Sequence, residues 1–370
     1  MKKIALFIPR LTIGGAEKVM ISIANGLSER GHDVDLVVIS KEGDLAGMVS
    51  PSVTVVDLQS KRTFCSILAL KKYIEEKRPD VLLSALDNAN IVAGLAKILT
   101  NTDTKLVLSI HTNLQYSYEH PRTFIQRFYP FLLRRVFKQA DAVIAVSKCV
   151  AALSSKFLNY PLEKVKVIYN PVIHEEIYEL ANEDQEHLWL QENRSIPAVV
   201  AVGRIVEAKD YPTLIHAFAK VVKRTKARLI IVGDGKEKIK KDMESLIQSY
   251  EIRDVVDITG YKKNPYYYIK NADLLVSSSK LEGFGNVLVE ALALRTPIVS
   301  TNCQCGPSEI LLDGRLGSLE PVGDVDALAK AIEQRLTNQY AFDEELLTTH
   351  LRQMEAQAAV LEYEKVVLQE

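Results

Sequence analysis

The chain has 370 residues, 47% apolar and 25% charged, with a net charge of −1. That length favours two domains, each large enough to bury its own core, and the composition is that of an ordered globular protein rather than a disordered one. No apolar run approaches the ~20 residues of a membrane-spanning helix.

The near-neutral charge hides an asymmetry. Up to Val172 there are 23 Lys and Arg against 15 Asp and Glu; beyond it there are 23 against 32. A basic front half suits an anionic surface or acceptor on that side, or is a scatter of solvated charges. Four cysteines (Cys65, Cys149, Cys303, Cys305) are too few and too scattered for a disulfide framework. The N-terminus enters a strand directly, which leaves no room for a signal peptide, so a cytoplasmic chain is expected, free or resting on a membrane face.

Strand-like and helix-like stretches alternate, the pattern of parallel sheets built from βαβ units. Residues 4–8 predict the first strand, followed by a Gly14-Gly15 loop and a helix whose face carries Val19, Met20, Ile23, Ala24 and Leu27. Strands are predicted at 34–39, 53–56, 81–84, 106–110, 142–146 and 165–168. Helices fall between them, including a long one over 122–138 that Pro130 should kink. Residues 173–195 are acidic and weakly patterned and are expected to form a linker. The alternation restarts at 198–202, continues through strands at 229–232, 255–258, 274–277 and 298–300, and ends in a helical tail at 344–370. The expected division is residues 1–172, linker 173–195, residues 196–343, and the tail, packed back on the first domain.

Four loops at predicted strand ends carry residues capable of chemistry. Gly14-Gly15 before a helix start allows either a phosphate cradle or a simple tight turn. Arg204 and Lys209, after strand 198–202, could neutralise a diphosphate without a metal or be ordinary surface charges. His111 ends strand 106–110. The fourth loop, Glu282-Gly283-Phe284-Gly285-Asn286-Val287, runs into a helix containing Glu290. If the intervening residues are helical, Glu282 and Glu290 stand roughly 12 Å apart along the backbone. That is too far for the carboxylate pair of a retaining glycosidase, about 5 Å apart. They would touch different parts of one long ligand. Gly233-Asp234-Gly235 reads as a structural turn.

This combination resembles the retaining glycosyltransferases of the GT-B fold, family 4 type, over nearly the whole length, from Gly14 to Asp324. Its most specific element is Glu282-Gly283-Phe284-Gly285 with Glu290; Gly306-Pro307-Ser308-Glu309-Ile310 is similar to the segment that follows it in the family. The resemblance implies two Rossmann-like parallel-sheet domains facing each other across a cleft. It implies a nucleotide diphosphate sugar, expected to be UDP-linked, held mainly by the C-terminal domain, and no cofactor. Glu290 would hold the ribose, and Arg204 and Lys209 the diphosphate. Glu282 and residues Gly283, Phe284, Gly285, Asn286 and Val287 would position sugar and phosphate, while Gly14, Gly15 and His111 would close over them. No metal is expected, since a transferase of this class needs none, and no nucleic-acid partner.

Segment 121–138 combines aromatics with Arg122, Arg127, Arg134, Arg135 and Lys138. It is either a core helix with a basic edge or an amphipathic surface for anionic lipid. Relatives with such a segment commonly act on polyprenyl-diphosphate sugars in surface polysaccharide or glycan assembly. The expectation is a retaining, metal-independent hexosyltransferase with a lipid-linked acceptor, peripheral on the inner face of the cell membrane. The alternatives are transfer to a soluble acceptor and epimerisation of the nucleotide sugar.

Overall fold

Near-continuous apolar runs such as Ile4-Ala5-Leu6-Phe7-Ile8 and Leu36-Val37-Val38-Ile39 are fully buried, as strands of a parallel sheet covered on both faces must be. The computed structural model describes all residues except 13, 120–124, 184–186, 339 and 369–370. It divides into two units, Met1–Pro171 with Gln353–Glu370, and Val172–Arg352.

The first unit holds β1 (Lys3–Phe7), β2 (Asp33–Val38), β3 (Thr54–Asp57), β4 (Val81–Ala85), β5 (Lys105–Ile110), β6 (Ala142–Ala145) and β7 (Val165–Val167). They form one sheet in the order β3-β2-β1-β4-β5-β6-β7, all neighbours parallel, with Ile4 opposite both Val34 and Val81. The order reverses between β1 and β4, the kind of switch point at which open parallel sheets bind ligands beyond the C-terminal ends of their strands.

The second unit holds β8 (Ala198–Val202), β9 (Arg228–Val232), β10 (Val256–Gly260), β11 (Leu274–Ser277), β12 (Ile298–Thr301) and β13 (Ser318–Glu320). Its parallel sheet runs β10-β9-β8-β11-β12-β13. Here the reversal lies between β8 and β11. The two βα loops with the most charged chemistry in this unit therefore flank one switch point.

Three stretches differ from the sequence expectation. Residues 173–195 include the helix Glu175–Ala181, which packs on the helix Tyr266–Asn271 within the second unit. Within the expected helix over 122–138, residues 122–124 lie outside the described residues, 125–128 form a single 3-10 turn, and only Tyr129–Phe137 is α-helical. Pro130 sits in the first turn of that helix, where its missing N–H costs nothing, so it starts the helix instead of kinking it.

The tail 344–370 divides. Helix Glu344–Leu351 stays with the second unit, where Glu344 pairs with Arg295 at 3.0 Å. Helix Ala356–Leu368 packs on Gly15–Glu29 of the first unit, and Gly26 gives Val360 the room it needs: a Cβ there would lie 2.4 Å from a Val360 methyl. Glu364 fastens this contact by accepting from Arg30 at 2.7 Å and facing His32 Nε2 at 2.9 Å.

Candidate active site

The site in the second unit begins with glycines. β8 runs into Gly203 and β9 into Gly233; a Cβ on Gly233 would stand 1.9 Å from the Gly203 carbonyl oxygen, and one on Gly235 would stand 2.0 Å from that of Ile205. Gly233-Asp234-Gly235 is there because the loops after β8 and β9 run side by side in backbone contact, the Ile205 amide donating to the Asp234 carbonyl at 2.7 Å. Tyr211 then donates its hydroxyl to the Gly203 carbonyl at 2.8 Å and braces the loop from behind.

Across the switch point, the β11 loop is tied to the β8 loop by backbone and side chain. The Lys280 amide donates to the Ala208 carbonyl at 2.8 Å, and Ser278 Oγ to the Lys209 carbonyl at 2.8 Å. Lys280 Nζ reaches buried Asp210 at 3.0 Å. These ties bring Lys209 Nζ to Glu282 Oε1 at 2.6 Å, with Ser279 Oγ donating to the same oxygen at 2.7 Å. The pair is only partly exposed. Burial, then the Glu282 charge, raise the Tyr211 phenol above its usual range, and the same two causes push the Cys303 thiol up to about 12. Arg204 stands exposed at the mouth of the loop, and its guanidinium makes no hydrogen bond or ion pair among the described residues.

The glycine-rich turn then opens the helix Asn286–Ala293. Gly285 is its N-cap at φ 100°, a left-handed position suited to glycine, which has no side chain to cap the helix start. Phe284 is buried beneath. Gly306 lets the following loop touch this turn, since a Cβ there would lie 2.0 Å from the Phe284 carbonyl oxygen. Glu290 is half-buried on the helix; burial first, then the carboxylates of Glu290 and Glu176, raise the Tyr266 phenol. The helix begins only at Asn286, so the 12 Å spacing, which assumed helix from Glu282 onward, does not apply to the first half of the motif. Gly283, Asn286 and Val287 line the turn between the two acids.

Gly14, Gly15 and His111 belong to the first unit. Gly14 is extended, at φ −165°, and Gly15 opens the helix, so neither glycine is demanded by backbone conformation here. His111 follows β5 and is 8% exposed; burial lowers its pKa to about 4, which leaves a neutral imidazole at physiological pH. Sequence reasoning missed Asp87, at the start of the helix after β4. Its carboxylate accepts from Tyr118 at 3.1 Å and Thr112 at 3.3 Å, and burial raises its pKa against those two bonds. It also missed Ser279 and Tyr211, whose only sequence signal is their place beside the motif residues. Arg127, Arg134 and Arg135 are exposed on and beside the helix Tyr129–Phe137, while Arg122 lies outside the described residues. Arg134 is partly structural, donating to the Phe157 carbonyl at 2.9 Å.

Two Rossmann-like parallel sheets, each with loops gathered at its strand ends, define a GT-B fold. The Anabaena protein HepE, solved with UDP and glucose, superposes with a TM-score of 0.77 at 20% identity over 98% of this chain and 95% of its own. Family models match on both sides of the division: Glycosyltransferase Family 4 over residues 13–176 and Glycosyl transferases group 1 over 185–354. The chain belongs to the glycosyltransferases of this group 1, family 4 type. An uncharacterised glycosyltransferase of Methanocaldococcus jannaschii is 29% identical over 257 residues, 68% of this chain and 61% of that protein. A Campylobacter jejuni protein named as an N-acetylgalactosaminyltransferase acting on a diphospho-undecaprenol glycan is 26% identical over 91% of this chain and 90% of its own.

Proposed function

We propose that this glycosyltransferase moves a hexose or N-acetylhexosamine from a UDP-sugar to a polyprenyl-diphosphate-linked glycan, with retention and without a metal, in surface polysaccharide or glycan assembly. The observation that carries the donor half is the Lys209–Glu282 pair at 2.6 Å, held at a switch point beside the helix start at Gly285. Breaking the bond between sugar C1 and phosphate oxygen leaves an electron pair on the diphosphate. Lys209 is a cation at that developing charge, and being held in advance by Glu282 it needs little reorganisation; Arg204, exposed at the mouth of the loop, and the helix start after Gly285 add positive charge on the same side. Glu290 takes the ribose hydroxyls, and Glu282 orients Lys209 and the sugar. Gly14, Gly15 and His111 serve as further donor contacts. The retaining outcome rests on the family resemblance. The UDP donor rests on HepE's ligands.

A thermal-shift panel tests the donor. UDP and a UDP-sugar should raise the melting temperature, with stabilisation near ~2.7 kcal/mol at about 100 times Kd. No shift with any nucleoside diphosphate would count against the site.

The acceptor half is supported by the Campylobacter relative's name and by the exposed aromatics Phe128 (54%) and Phe131 (69%) beside exposed Arg127, Arg134, Arg135 and Lys138. Among the described residues no helix is long and apolar enough to cross a membrane, so contact would be made by this basic, aromatic face. The protein should co-float with vesicles containing anionic lipid and release as salt is raised, each basic side chain contributing about 1 kcal/mol. Substituting Phe131→Ser with Arg135→Gln should reduce the floating fraction. Absence of flotation would favour a soluble acceptor.

A further inference from the structure

His111 Nε2 lies 3.0 Å from Ser109 Oγ, and Ser109 Oγ lies 3.2 Å from the Tyr363 hydroxyl. All three groups are buried, with Tyr363 1% exposed, and among the described residues His111 Nδ1 has no hydrogen-bond partner. Tyr363 comes from the C-terminal helix, 254 residues from Ser109 in sequence. Hydrogen positions in such a chain follow from counting which groups would be left unpaired.

If Tyr363 donates to Ser109 and Ser109 donates to Nε2, every hydroxyl proton has an acceptor and only Nδ1–H is left over. If instead Nε2–H donates to Ser109 and Ser109 to Tyr363, the Tyr363 proton and the Nδ1 lone pair are both stranded. If both neighbours donate to Ser109, its own proton and Nδ1 are stranded. The first arrangement strands one buried group and the others strand two, and a stranded buried group is the costly case.

We propose that Ser109 is a positioning residue that holds His111 as the Nδ1–H tautomer, so that His111 presents a neutral donor to an oxygen of the bound ligand. Tyr363 of the C-terminal helix fills the acceptor side of the Ser109 hydroxyl and leaves its proton for Nε2. The low pKa that burial gives His111 agrees, since a charged ring would have no tautomer to choose. The identity of that oxygen, a hydroxyl or phosphate oxygen of the sugar donor, rests on the transferase reading; the tautomer does not.

The test is a nitrogen-15 NMR spectrum of the full chain labelled at histidine, with His111 assigned by its loss in His111→Gln. The wild type should show protonated Nδ1 and unprotonated Nε2. Ser109→Ala should give a mixture or the opposite tautomer, and Ser109→Thr, which keeps the hydroxyl, should restore the wild-type pattern. Tyr363→Phe, which removes only the donor to Ser109, leaves the count of stranded groups unchanged and should keep the wild-type pattern. The donor kcat/KM of Ser109→Ala should fall roughly tenfold, the scale of one neutral hydrogen bond, while Ser109→Thr stays near the wild type. A protonated Nε2 in the wild type would overturn the proposal, as would a pattern indifferent to Ser109→Ala. If the tautomer behaves as stated but no sugar is transferred, the transferase reading alone falls.

Discussion

Lys209→Ala should lower kcat by about 10²–10³-fold at saturating donor, the usual loss when one fixed donor to a developing oxyanion is removed. Lys209 is the cation the fold takes most trouble to place. Its carbonyl is held by Ser278, its neighbour Ala208 by the Lys280 amide, and its ammonium by Glu282. Removing it also leaves the Glu282 carboxylate with Ser279 as its remaining donor in that pair. Pairing the change with Glu282→Gln separates the two effects. Were the loss merely that of an unpaired carboxylate, the double variant would recover to the rate of Glu282→Gln alone; loss of charge stabilisation predicts that it stays well below that rate. Near-normal turnover in Lys209→Ala would remove the role.

Glu290→Ala should raise the donor KM by roughly 10–100-fold while kcat stays within a few-fold. Hydrogen bonds to a charged group contribute about 1.5–3 kcal/mol, and a ribose contact is made equally in ground and transition states. Glu290 lies on a helix and beside Tyr266, away from the Lys209–Glu282 pair in sequence and role. A drop in kcat at unchanged donor affinity would contradict the assignment.

Both unit cores were legible from apolar runs, because a doubly covered parallel strand must be continuously apolar. The strand Ser318-Leu319-Glu320 was not legible: it is three residues long, half-buried at a sheet edge, and has one apolar side chain. The acidic helix Glu175–Ala181 was equally silent, since it buries only Ile177 and Ala181. The residues of the candidate site were visible singly, and their number at strand ends was the useful signal. Their pairing was not, because Lys209 and Glu282 are 73 residues apart and meet only through the strand order β8-β11. That order depends on which strand crosses over, which local pattern does not encode. The Tyr363–Ser109–His111 chain was hidden for the same reason: Tyr363 and Ser109 stand 254 residues apart and meet only in the fold.

The central claim is transfer of a sugar from a nucleoside diphosphate to a lipid diphosphate glycan. Incubating the protein with a UDP-sugar labelled in the hexose and an undecaprenyl-diphosphate-linked acceptor, then separating lipid from water-soluble products, tests it most directly. The account predicts label in the lipid fraction, released UDP, and an anomeric configuration matching the donor's. Label that remains in the aqueous phase as a converted nucleotide sugar, or as a soluble glycoside, would contradict it.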